Sequence, residues 1–244
     1  ANIDHLENYN YMEGGVHIDG DSYTLTFEHL TALIKFDLTL PKDLAEGEVL
    51  ESITMKSDRD DWVYLSIHEN ETYSKSFTLG LSEVTPTDNK ITAYMMLYQL
   101  NPFDTGDALH ILLKTNQKTH MFTHTFAEPI NYDGGNVYIA TIGEDEWTTY
   151  PGQMQFTVRT TGFNEELQLP FASDTGEYTL LVDWGDGDIQ TIKPNTKMDE
   201  AALKHWYYEA DDYKITLRTT APAGTVQIPE WDFEMYNKAA PKLY

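Results

Sequence analysis

Three carboxylates, two glycines and an indole fall within the stretch Leu181-Val182-Asp183-Trp184-Gly185-Asp186-Gly187-Asp188. Asp183, Asp186 and Asp188 could supply oxygen ligands to Ca2+, a hard cation that favours carboxylates in a turn. The stretch lacks the full calcium-loop pattern and its terminal bidentate glutamate, and a structural turn competes with ion binding. In that turn the aspartates accept bonds from nearby amides, and Gly185 and Gly187 take backbone conformations that a side chain would resist. The structural turn is the preferred reading, with His205 and Tyr207 orienting it or packing close by. No phosphate-loop helix follows the stretch, so a nucleotide cradle is disfavoured.

Trp184 and Trp231 are the candidate carbohydrate-stacking platforms, since an indole face suits a sugar ring. For Trp184 the competing role is to seal the end of a hydrophobic core beside the turn, and that role is preferred. His205 has no serine, threonine or acid tied to it in a recognisable catalytic constellation. His120 and His124 alternate with Phe122 and Phe126 and are read as structural, because further zinc ligands are not identifiable. His29, beside the first clear strand, is read the same way. Asp58, Asp60 and Asp61, like Asp145 and Glu146, read as solvated turns. Paired carboxylates could hydrolyse a glycoside, but a chain this rich in acids offers many accidental pairs.

The elements that must position these residues are extended. Leu25 and Phe27 alternate with threonines, and Ile34, Phe36, Leu38 and Leu40 alternate with Lys35, Asp37 and Thr39, which predicts two strands with one buried and one wet face. Further strands are expected at 49–55, 62–67, 91–100, 109–114, 119–126 and 137–142. The segment 91–100, apolar on both faces, is expected to lie centrally between layers or under a loop. Residues 1–20 read as a loose leader or an edge segment. Gly143 to Gly152 is the expected junction between a domain over 1–147 and another over 148–244. In the second, strands are expected around Met154–Val158, Leu167–Phe171, Tyr178–Val182, Ile189–Ile192 and Tyr213–Leu217, with a short helical turn within Met198–Leu203. The fold class is therefore all-β, two consecutive antiparallel β-sandwiches. The aromatic C-terminal tail either packs back on the second domain or continues into a further module.

Composition narrows the function. The 244 residues carry 40 acidic and 16 basic side chains, a formal charge of -24. Such a chain repels DNA, RNA and anionic membrane surfaces, so no nucleic-acid partner is expected and a basic partner or cation suits it better. There is no cysteine, which excludes disulfides and thiolate chemistry. No transmembrane stretch is present and no signal peptide opens at Ala1, which is consistent with a processed exported chain; a membrane anchor could lie in a leader outside this sequence.

Two resemblances add to this reading. Thr26-Phe27-Glu28-His29-Leu30-Thr31-Ala32, followed by the alternation from Ile34 to Leu40 and later by Tyr132-Asp133-Gly134-Gly135-Asn136-Val137-Tyr138, resembles the opening strands and closing glycine turn of fimbrillin-like surface proteins of Bacteroides and relatives. Residues 150–228 are similar to PKD-like β-sandwich domains, through Val182-Asp183-Trp184-Gly185-Asp186-Gly187 and His205-Trp206-Tyr207. These resemblances imply a transthyretin-like sandwich followed by an immunoglobulin-like one. They also imply a non-enzymatic cell-surface or fimbria-associated protein, outer-membrane associated and acting in adhesion or surface presentation. The implied partners are a surface protein, a glycan, or a strand exchanged at an open sheet edge. The alternatives are a carbohydrate-recognition accessory module and, behind it, an acidic-residue glycoside hydrolase.

Overall fold

The computed structural model describes residues 6, 10–20, 22–42, 44, 47–59, 62–66, 72–81, 84–162, 164–171, 175–197, 201–220 and 242–243. Almost all of the regular structure in them is β-strand. The chain divides into two compact units, one of Ala1–Asn116 with His120–Trp147, the other of Gln117–Thr119 with Thr148–Tyr244.

The first part of the chain contains β1 (Met12–Asp19), β2 (Ser22–His29), β3 (Ala32–Thr39), β4 (Leu50–Ser57), β5 (Val63–Ser66), β6 (Thr72–Ser74), β7 (Ser76–Gly80), β8 (Lys90–Leu97), β9 (Ala108–Thr115), β10 (Thr119–Thr125) and β11 (Val137–Ile142). The period of two in β3 shows why it is a strand between core and solvent. Ala32, Ile34, Phe36 and Leu38 are buried, while Lys35 and Asp37 pair at 2.6 Å on the outer face. β3 lies between β11 and β8 in one sheet, and β10, β9, β4 and β7 run in that order in another. Ile34 and Phe36 of the first sheet share one buried cluster with Ile53 and Met55 of β4 and Ile111 and Leu113 of β9, which makes the unit a β-sandwich.

Three expectations change. β11 runs parallel to β3, from Val137↔Leu33 to Ile142↔Leu38, so the sandwich is not wholly antiparallel. The segment from Phe126 to Asn136 is too long for a tight hairpin. It bonds reciprocally with Phe103 through Ile130 and delivers the chain to the far side of β3. β8 lies at the end of its sheet rather than centrally, with Tyr94 and Met96 only half-buried on the outer face. The third change is at the N-terminal end. Met12–Asp19 is a regular strand, paired with β2 from Met12↔His29 to Asp19↔Ser22, and every residue of both strands is exposed. The alternation of Tyr23, Leu25 and Phe27 is real, but the first unit does not cover its apolar face.

After β12 (Thr148–Tyr150) come β13 (Gly152–Arg159), β14 (Glu165–Gln168), β15 (Leu180–Asp183), β16 (Ile189–Ile192), a 3-10 turn at Ala201–Leu203, β17 (Lys204–Tyr207), β18 (Asp212–Thr219) and β19 (Lys242–Leu243). One sheet has the order β16-β15-β18-β13-β19, and β14 pairs with β17 separately. Val158, Val182 and Ile215 from the larger sheet and Leu167 and Tyr207 from the smaller share the second buried cluster, again two layers over one core. The C-terminal strand packs back on the unit, with Leu243 opposite Val158 and Lys242 opposite Arg159. Trp231, Asp60 and Asp61 lie outside the described residues, as do Met198 to Glu200 of the expected helical turn.

Candidate functional site

The turn between β15 and β16 is built from its backbone outward. Asp183 accepts the amide of Gly185 at 3.1 Å, and Asp186 accepts the amide of Asp188 at 3.0 Å, two Asx-type bonds that fix the loop. The Trp184 amide closes it by donating to the Asp188 carbonyl at 2.9 Å. Gly185 is required twice over. Its φ is +86°, and a Cβ there would stand 2.8 Å from the carbonyl oxygen of Lys214 on the neighbouring strand.

Around that loop the rings stack in series. Trp184 lies flat on His205, centroids 4.8 Å apart at 12°; His205 meets Tyr207 edge-on at 4.8 Å; Tyr207 stacks on Tyr213 at 4.2 Å. The Tyr207 hydroxyl donates to the Trp184 carbonyl at 2.8 Å, and burial pushes that phenol far above its ordinary pKa, with the nearby aspartate charges adding to the effect. The indole Nε1 donates to Gln190 at 3.2 Å. Trp184 is therefore satisfied at its polar atom and 0% exposed. This corrects its candidacy as a sugar platform: neither face is open to a ring from solution. The sequence lacked a signal for Gln190 and Lys214, because their roles depend on strand pairing.

Asp183, Trp184, Gly185, Asp186, Gly187, His205 and Tyr207 are thus brought together, while Asp188 stands second to His205. The imidazole Nε2 donates to Asp186 at 2.7 Å, and Nδ1 lies 3.7 Å from Asp188. Held between two carboxylates, the ring is oriented as a clamp, and a Ca2+ ion using Asp186 would have to displace it. Burial pushes the Asp186 carboxyl up, but the His205 bond and charge and the Asp188 amide outweigh it, leaving the group below the ordinary carboxylate range. A depressed carboxyl gives stability that is complete above its unfolded value and lost as pH falls through its folded value. His205→Gln is accordingly expected to move the acid-unfolding midpoint to higher pH, read by the fluorescence of the buried indole. An unchanged midpoint would mean that the clamp carries no stability.

The remaining candidates are scattered. His120 is fully buried, with its Nε2 3.9 Å from the equally buried Glu48, and His124 is exposed with its ring edge against Phe126 at 4.9 Å. His29 bonds Asn10 at 2.9 Å. Asp58 is held at about 2, because His110 bonds it at 3.2 Å, with His110 charge and Lys56 adding to the effect. Asp145 pairs with Lys42 at 2.7 Å, and Glu146 accepts the amide of Gly143. One feature escaped the sequence reading: Trp206 and Tyr208 are exposed, Trp206 opposite Glu166 on β14. Trp206 lies on the outward face of β17, which the alternation of a strand could have revealed, and Tyr208 follows directly after the strand ends.

No helix among the described residues is long and apolar enough to cross a membrane. Comparison with protein-family models, with curated proteins and with solved structures returned no match.

Proposed function

We propose that this chain is a non-enzymatic bacterial cell-surface or fimbria-associated protein that acts by presenting a binding surface or sheet edge outside the cell. The observation that supports this best is the edge at β11, which ends its sheet with no further strand paired to it among the described residues. The Leu33 amide donates to the Asn136 carbonyl at 2.9 Å. That bond sets the phase of the parallel ladder, so residues 136, 138 and 140 turn their polar groups toward β3, while Val137 and Ile139 turn theirs away. Both of these side chains are also exposed. An edge of this kind accepts an extended segment from another chain through its backbone and selects it through alternate side chains. The large negative charge and the fimbrillin and PKD resemblances suit the same setting.

Proline tests the edge with little disturbance of the ladder, because Ile139→Pro removes an outward amide only. Capture from bacterial envelope extracts with the full chain is expected to recover a partner that Ile139→Pro fails to recover. Equal recovery by both, or none by either, would contradict the edge mechanism.

A second reading, carbohydrate recognition, is favoured by Trp206 and Tyr208 rather than by Trp184. Trp206, 46% exposed, is flanked by Glu166 and Lys204, which themselves pair at 3.7 Å. An indole bordered by hydrogen-bonding groups is the arrangement a sugar ring uses. On that reading a glycan array gives binders that Trp206→Ala weakens at least about tenfold, roughly the loss of one stacking contact. An array without binders would remove it.

A further inference from the structure

The ribbon formed by β1 and β2 has two unlike faces. In antiparallel pairing, directly opposed residues share a face, so the register places Met12, Gly14, Val16 and Ile18 with His29, Phe27, Leu25 and Tyr23. The other face carries Glu13, Gly15, His17 and Asp19 with Glu28, Thr26, Thr24 and Ser22. The first face is therefore apolar and free of acidic and basic side chains except for His29 at its base, and the second holds the acids. Met12, Val16, Ile18, Tyr23, Leu25 and Phe27 are 47% to 71% exposed. A two-stranded ribbon is marginal in water by itself, and a contiguous apolar face of this size on a soluble chain marks an interaction site.

Its base is held in place. The Leu30 amide donates to the Tyr11 carbonyl at 2.9 Å, the Gly135 amide donates to the Thr31 carbonyl at 3.0 Å, and His29 bonds Asn10. Gly134 sits so close to the His29 carbonyl that no Cβ could be accommodated. These contacts fix the base of the ribbon, and among the described residues of the first unit its apolar face stays exposed.

We infer that the cover is a second copy of this chain, docked ribbon to ribbon through the face of Val16, Ile18, Tyr23, Leu25 and Phe27. The size fits: with Met12 the face has six exposed apolar side chains, and at roughly 100 Å² each two ribbons would remove about 1,200 Å² from water, the lower bound of a standard stable interface. The shapes fit as well. β1 leaves a gap at Gly14, which the Phe27 ring lies across, and carries Val16 beside it, whereas β2 contributes Tyr23, Leu25 and Phe27, so bulky and slight positions face one another along the ribbon. Face-to-face docking leaves Glu13, Asp19 and Glu28 in water. An uncharged face gives no reason to select a basic protein over a like surface, although the charge of -24 on each copy opposes association until salt screens it. This dimer does not depend on the surface-presentation reading, since its test needs no receptor.

Sedimentation velocity of the full chain from about 1 to 100 μM is the test. The expected result is a reversible dimer that strengthens with added NaCl. Val16→Asp and Leu25→Asp should each weaken it at least about tenfold, while Thr24→Asp, on the opposite face of the same ribbon, leaves it unchanged. Circular dichroism of the three variants shows whether the sandwiches are retained, and hydrogen exchange on the wild type should protect β1 and β2 more as concentration rises. A chain that stays monomeric over this range, a dimer that survives Leu25→Asp, or one weakened equally by Thr24→Asp would overturn the inference.

Discussion

Trp184→Ala is expected to cost about 3–5 kcal/mol, the range for emptying a large aromatic site in a packed core. Small domains are stable by only about 5–15 kcal/mol, so the variant would leave little of the second unit's stability. The indole is fully buried, it stacks on His205, and its carbonyl is the acceptor for Tyr207. Its loss removes the His205 stack and the bond to Gln190 together, while the backbone carbonyl that Tyr207 uses is kept. Urea unfolding followed by hydrogen exchange at β15, β17 and β18 measures the effect. A cost below about 1 kcal/mol would mean the site collapses without penalty and the tryptophan is no keystone.

Gly134→Ala is expected to cost about 2–4 kcal/mol, from overpacking rather than from a cavity. A Cβ at Gly134 would stand 1.9 Å from the His29 carbonyl oxygen and 2.8 Å from the Leu30 carbonyl carbon. Both obstacles are backbone, so no rotamer change relieves them. The turn would have to lift away, breaking the bonds from Gly135 to Thr31 and from Leu33 to Asn136 that seat β11 on β3. Gly135 is the internal control. Its φ is +75°, but its nearest contact for a Cβ is a side-chain carbon at 3.7 Å, so Gly135→Ala costs only about 1 kcal/mol, the left-handed penalty alone. Thermal melts of the two variants separate the effects; equal losses would show that backbone conformation, not close approach, makes Gly134 necessary.

Which parts of this were legible in the sequence follows from the range of the forces involved. The alternation in 34–40 predicted β3, and the glycine-aspartate turn after Val182 was visible, because both depend on neighbours one or two residues away. His205 and Tyr207 were placed beside Trp184 through resemblance, not periodicity, and the ring stack has that composition. The parallel placement of β11 was not legible, since it depends on the path from Phe126 through Ile130 to Asn136. Nor was the exposure of β2: Tyr23, Leu25 and Phe27 have the pattern of a half-buried strand, and periodicity identifies an apolar face without naming what covers it. Trp184 and Trp206 illustrate the same limit. One is sealed and the other open, and the difference is set by which layer each strand joins.

The central claim is that the chain works outside the cell, through its surfaces. Proteinase treatment of intact bacteria making the native protein tests it most directly. The account predicts that the chain is degraded or clipped on unbroken cells while a cytoplasmic marker survives; a chain protected until the cells are lysed would contradict it.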